Sequence, residues 1–222
     1  MSEEVELDAA RGFIAPELKA EFPGLRLSWL TADCRAGPSP REVQQRLGAL
    51  SNRYRGASVV AMRTQPIPHA YRSFFRQVGV DPDAVRIPSE EAAVARLLHG
   101  GFRSHGLVDD ALLISVVETG VPVWALDAEM IDPGGLGIRI SVEGDRLGST
   151  EYASAIAPGR LVVTDGRWVH ATLFGDIARG HGVGPRTRRV ALFTVGVEGV
   201  PAIHLEEALW VCVEVLSTSG AG

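Results

Sequence analysis

Residues 107–127 read LVDDALLISVVETGVPVWALD, and this stretch decides the fold class. From Leu107 to Thr119, the apolar residues Leu112, Leu113, Val116 and Val117 recur at helical spacing. Gly120 suits the left-handed turn that ends a helix, and Pro122 cannot continue one. The run from Val121 to Leu126 then has the character of a short buried strand.

That switch divides the whole chain. Upstream, Pro40 opens a helix with the stripe Val43, Leu47, Leu50 and Tyr54, and Gln65 to Pro68 reads as a break. Tyr71, Phe74, Phe75 and Val78 form a second stripe, a core face stopped by Gly79. Pro88-Ser89 opens a third helix, with Ser89 as N-cap, Val94, Leu97 and Leu98 as its apolar face, and Gly100-Gly101 as its stop. Only Leu25 to Thr31 and Ala57 to Met62 read as strands in this half.

Downstream, Leu136 to Val142, Arg160 to Val163, Trp168 to Phe174 and Arg189 to Val197 read as strands, with a hairpin turn at Asp165-Gly166 and another turn at Gly144-Asp145. A closing helix carries Leu205, Leu209, Cys212, Val213 and Leu216, and the tail from Ser217 is small and polar. Helices gathered before strands favour an α+β fold over a doubly wound one. The segments Asp132 to Gly135 and Gly180 to Pro185 are the flexible candidates.

With 222 residues, 45% of them hydrophobic, the chain can bury one sizeable core, and a single domain over 1–222 is expected. No apolar run reaches the roughly 20 residues of a bilayer span. The acidic Met1 to Asp8 lacks the apolar centre of a signal peptide. Cys34 and Cys212 read as reduced, buried thiols, so a cytoplasmic setting is expected, with no membrane partner. A net charge of −5 argues against nonspecific coating of nucleic acid but leaves room for a local basic groove. Lys19 is the only lysine; every other basic side chain apart from histidine is arginine. Phosphate loops, dinucleotide fingerprints, serine-hydrolase elbows and paired Cys-x-x-Cys motifs are absent, so no cofactor and no metal are expected.

The segment from Tyr71 to Arg96, YRSFFRQVGVDPDAVRIPSEEAAVAR, is followed from His105 by HGLVDDALLISVVETGVPVWALD. Together they resemble the tRNA-editing domain, the third and fourth modules, of the phenylalanyl-tRNA synthetase beta subunit, and its freestanding relatives more closely. The resemblance runs through Gly79-Val80-Asp81-Pro82, Arg86, Ser89, Asp110, Glu118-Thr119-Gly120, Pro122 and Asp127, then through Gly137-Ile138-Arg139 with Glu143-Gly144, to about Val197. Gly106-Leu107 stand where that family usually has Asn-Pro, Leu113 where it has an Asn, and Trp124 where the synthetase has a His. The resemblance implies a three-layer fold, with a β-sandwich of unusual topology and helices packed on it. It also implies a partner, the acceptor end of tRNA or aminoacyl-tRNA, and a reaction, ester hydrolysis of a wrongly attached amino acid in trans.

That chemistry needs a carboxylate for the ammonium group, a group to orient water, and arginine and aromatic faces for the terminal nucleotide. The stretch from Arg103 to Arg139 offers Arg103, His105, Asp110, Glu118, Trp124, Asp127 and Arg139 as substrate-binding candidates, and His170 joins them from a later strand. No catalytic residue is singled out. Each candidate has a plainer reading. Asp110 suits a helix start, Glu118 an ion pair, His105 a solvated loop, Trp124 core packing and Asp127 a turn. Arg139 and His170 lie in strands and face either solvent or a polar pocket. Arg186, Arg188 and Arg189 form the densest basic cluster, either an exposed strand lead-in or a contact to tRNA phosphates. Two alternatives stay open: a non-catalytic module binding a small amino compound or RNA, and a purely structural protein. The oligomeric state is not readable from the sequence.

Overall fold

A computed structural model of the chain describes residues 9–54, 61–132 and 135–218. In chain order the elements are β1 (Ala10–Arg11), β2 (Phe13–Ile14), α1 (Pro16–Glu21), β3 (Arg26–Asp33), α2 (Arg41–Arg53), α3 (Pro66–Gln77), α4 (Pro88–His99) and α5 (Leu107–Thr119). They continue with β4 (Val123–Asp127), β5 (Gly137–Ile140), β6 (Arg146–Leu147), β7 (Ser154–Ala155), β8 (Leu161–Thr164), β9 (Val169–Thr172), β10 (Arg189–Gly196) and α6 (Ala202–Ser217). The fold is α+β, as the segregation of elements implied: two sheets with helices packed on them.

The first sheet has the order β1-β3-β10-β4, the second β2-β5-β8-β9-β6-β7. In the first, Trp29, Phe193 and Trp124 stand directly opposite one another on three strands and share a face. That face looks toward the second sheet: Gly135, just before β5, approaches Trp29, and Phe174, just after β9, packs edge-on against Trp124 at 5.5 Å. The opposite face carries α6, whose Leu205 presses on Gly196. The strand β10 is therefore covered on both sides, and from Val190 to Val195 it is buried without alternation.

Gly12 is where the chain crosses between sheets. It separates β1 from β2, and a Cβ there would meet the Leu136 carbonyl at 2.5 Å and the Leu27 side chain at 2.6 Å. Phe174 is the only non-glycine residue with positive φ among the described residues, at 57°. Its ring is held between Tyr71, Phe74 and Phe75 of α3 and Trp124, which holds the backbone in a region L-residues seldom adopt.

Several elements differ from the sequence expectations. Of the break expected over Gln65 to Pro68 only Gln65, a bend, lies outside a helix; Pro66 starts α3, because the first turn of a helix needs no N–H donor. Ser89 is not an N-cap. Ile87 holds that position with Pro88 after it, and Ser89 is buried within the first turn. The buried face of α4 is Ser89, Glu90 and Ala93, while Leu97 and Leu98 are 43% and 77% exposed. The cause is Glu90, drawn inward by the buried Arg72 guanidinium at 2.9 Å. The strand expected over 57–62 lies outside the described residues except for Ala61 and Met62, which are helical. Pro133 and Gly134 of the first flexible candidate also lie outside them. The second, Gly180 to Pro185, is pinned by backbone bonds at His181 and Gly184. The segments β1, β2, β6 and β7 have two residues each, too few to show a period. No helix among the described residues is long and apolar enough to cross a membrane.

Candidate functional site

The side chains singled out from the sequence separate into four places. At the start of α5, Asp110 is wholly buried and accepts hydrogen bonds from the Ser39 and Ser104 hydroxyls and the His105 N–H. It is not the helix cap; the carboxylate ties two incoming loops to the first turns of α5. The exposed His105 lines an open depression with Ala36, Gly37, Asp109 and Pro185, and Arg103 is exposed nearby in sequence. Burial, together with the adjacent Asp110 charge, raises the pKa of Asp109.

At the other end of α5, Glu118 receives Arg46 in a forked pair, with N–O distances of 2.7 and 3.0 Å, and Arg46 also reaches Glu214. Glu118 lines a mostly apolar cavity of about 340 Å³ with Tyr54, Gln65, Ser89 and His204. The hydroxyl of Ser89 has no hydrogen-bond partner among the described residues.

Trp124 is core, stacked on Phe193 at 5.5 Å and 17°. Arg139 is committed to Asp145 through two bonds and lines neither cavity. The expectation that acidic and guanidinium groups of this stretch meet in one cleft is therefore not met. Helix α5 places Asp110 and Glu118 at opposite ends, and the strand carrying Arg139 belongs to the other sheet.

Asp127 ends β4 and organises the third place. Its N–H donates to the His181 carbonyl, one carboxylate oxygen accepts from the Glu129 N–H, and the other from the Thr187 hydroxyl. Both ends of the segment 181–187 are thus fastened to a single residue. Beyond that segment, Arg188 and Arg189 line an open groove of about 770 Å³ with Thr31, Asp33, Cys34, Arg35 and the end of α6. Arg186, two residues before Arg188 in the chain, is exposed and does not line the groove. Arg189 donates to the Thr31 hydroxyl at 2.6 Å. Burial, with Asp127 adding to it, raises the Cys34 thiol, so Cys34 presents a neutral group to the groove.

The fourth place is the one sequence reasoning saw least of. His170 was expected to face solvent or a polar pocket; it is fully buried in β9, and so is His181. Their Nδ1 atoms are 2.8 Å apart. His181 Nε2 lies 2.9 Å from the Ser149 hydroxyl, and His170 Nε2 lies 3.0 Å from Asp165 Oδ2, off the line of a straight hydrogen bond. Burial opposes ionisation of Asp165. The N–H groups of Trp168, Asp132 and Arg167, with His170, outweigh it and hold the carboxyl at about 2. Burial, then the neighbouring His170, lowers the pKa of His181 despite Asp165.

No protein-family model matches the chain, and no curated protein matches it.

Ser149, His181 and Asp165 carry no motif spacing. Only the hairpin at Asp165-Gly166 was legible as a turn, and β6 brings Ser149 to the relay by pairing with β9 at Leu147 and Val169. Among the described residues no group of three or more His, Cys, Asp or Glu side chains is placed to hold a metal ion.

Proposed function

We propose that the chain is an aminoacyl-tRNA-binding protein of the editing type, which hydrolyses the ester of misacylated tRNA in trans. The observation that carries this reading is the groove at the ends of β3 and β10, where Arg35, Arg188 and Arg189 gather on a chain whose net charge is −5. Guanidinium groups match phosphate oxygens in forked pairs, and a concentrated basic groove on an acidic protein selects a polyanion locally rather than coating it. The sequence resemblance supplies the class of polyanion, and the α+β fold with two sheets is consistent with it. Asp127 joins this groove to the segment bearing His181.

The test is binding and deacylation of a panel of misacylated tRNAs at low salt. Arg188→Glu and Arg189→Glu are expected to weaken binding across tRNA sequences, and neutralising one phosphate contact lowers the slope of log affinity against log salt by about 1. Absence of both binding and deacylation retires the proposal.

A second reading is a module that holds a small amino compound without catalysis. It is favoured by the cavity below Glu118, with its apolar walls and the Ser89 hydroxyl, which has no partner among the described residues. Amino acids that raise the melting temperature, with no effect of tRNA, would favour this reading over the first.

A further inference from the structure

The four groups Ser149, His181, His170 and Asp165 form one continuous line from the surface into the second sheet. Ser149 is half-buried, and its neighbours Thr150 and Tyr152 are exposed. Behind it both imidazoles are fully buried, and the Asp165 side chain is 1% exposed. Gly148, with φ of 105°, lets the Ser149 loop lie against the segment bearing His181; a Cβ there would meet Ala178 at 3.2 Å.

With both imidazoles neutral, the contacts along the line are met by one placement of the protons. Asp165 is ionised and only accepts, so His170 carries its proton on Nε2, facing the carboxylate. In that state the bare Nδ1 of His170 accepts from His181 Nδ1–H across 2.8 Å. That leaves His181 Nε2 bare, and it accepts from the Ser149 hydroxyl at 2.9 Å. In that state every donor along the line points inward, and the outermost group is a hydroxyl aimed at an unprotonated imidazole. This is the arrangement that activates a serine for acyl transfer, with a second histidine inserted between base and carboxylate.

We propose that Ser149 is a nucleophile for small carboxylic esters, with His181 as its general base and His170 and Asp165 as positioning residues. The Ser149 oxygen attacks the ester carbonyl carbon as its proton passes to His181 Nε2. The carbon–oxygen bond to the alcohol then breaks, and His181 returns the proton to the departing alkoxide. Water attacks the acyl-serine with His181 again taking a proton, the acid leaves, and Ser149 recovers its hydrogen. While His181 holds the proton in each half-reaction, Asp165 stabilises the charge through His170. The low pKa of His181 keeps the imidazole unprotonated, and so able to act as a base, at neutral pH.

This inference goes beyond the tRNA reading and does not require it, because acylation needs only an ester. The test is treatment of the full chain with a fluorophosphonate, which loses fluoride as phosphorus bonds to the serine oxygen, followed by mass spectrometry and peptide mapping. The same protein is assayed for p-nitrophenyl acetate hydrolysis. The expected result is a single adduct on Ser149, abolished in Ser149→Ala, with hydrolysis slowed at least ~100-fold in Ser149→Ala and in His181→Gln. In the wild type kcat/KM should fall on acidification with an inflection below the ordinary histidine value, and His170→Asn should move that inflection. Ser149→Ala removes one half-buried hydroxyl and is expected to fold, so it keeps the proposal falsifiable if the histidine variants do not. Absence of a Ser149 adduct, or hydrolysis unchanged in Ser149→Ala, overturns it. A Ser149 adduct with no tRNA deacylation upholds it while removing the editing reading.

Discussion

Among the described residues, two buried clusters of charged or ionisable groups are built in opposite ways. Under α3 and α4, Arg72 meets Glu90 at 2.9 Å and Asp83 at 2.6 Å, and also donates to the Pro82 carbonyl. Its charges close on one another: buried Arg72 and Glu90 pair with each other and with the exposed Asp83, and the exposed Arg63 reaches both anions. In the second sheet, Asp165, His170 and His181 do not close. Their contacts form a line that ends on the half-exposed Ser149 hydroxyl. A closed cluster fixes helix positions. An open one ends at a group with chemistry left to perform, and that distinction, rather than burial alone, separates scaffold from candidate site.

The comparison is broken most directly at Arg72. Replacing Arg72 with Ala leaves buried Glu90 with only the longer contact to the exposed Arg63 at 3.6 Å, and the expected loss is up to about 3–5 kcal/mol in a urea unfolding curve. A loss under about 1 kcal/mol would mean that the cluster holds nothing together.

Acid should reach the second cluster next. The Asp165 carboxyl sits at about 2 against an ordinary 3.8. A depressed carboxylate stabilises the fold above the ordinary value, and the stabilisation is lost as pH falls toward the folded one. The contribution is on the order of 2 kcal/mol, absent in Asp165→Asn, and unfolding curves at pH 6 and pH 2.5 would measure it.

His181 sharpens the contrast within the milder range. Its pKa is lowered in the folded state, so the unfolded chain takes up the proton first as pH drops below 6.5. The melting temperature should therefore decline between pH 7 and pH 5, and the decline should flatten in His181→Gln. The Arg72 cluster should contribute nothing to that slope.

The smallest expected effect is at Arg46, whose pair with Glu118 and Glu214 lies near the surface. Arg46→Ala should cost about 0.5–1 kcal/mol, and high salt should remove most of the difference.

Periodicity and chain punctuation located most of the elements. The α5 helix from Leu107 to Thr119, the left-handed Gly120, β10 and the turn at Asp165-Gly166 all stand where local rules put them. Local rules failed where a distant partner decided the matter. Ser89 follows a proline and looks like a cap, but α4 is turned by Glu90 reaching Arg72 from another helix. Glu118 and Arg139 looked like members of one site, yet each is committed to its own ion pair, with Arg46 and Asp145.

By itself the sequence determined the α+β class, the buried aromatic face of α3 and the basic cluster at Arg186, Arg188 and Arg189. Those depend on spacing along a few turns or strands, which the backbone geometry repeats every 3.6 or 2 residues. Only the tertiary structure decided that His170 and His181, eleven residues apart, share a hydrogen bond, and that Ser149 lies at the end of their line. The physical reason is that hydrogen bonding between buried imidazoles depends on a fraction of an ångström in space, which strand pairing sets and residue order does not encode.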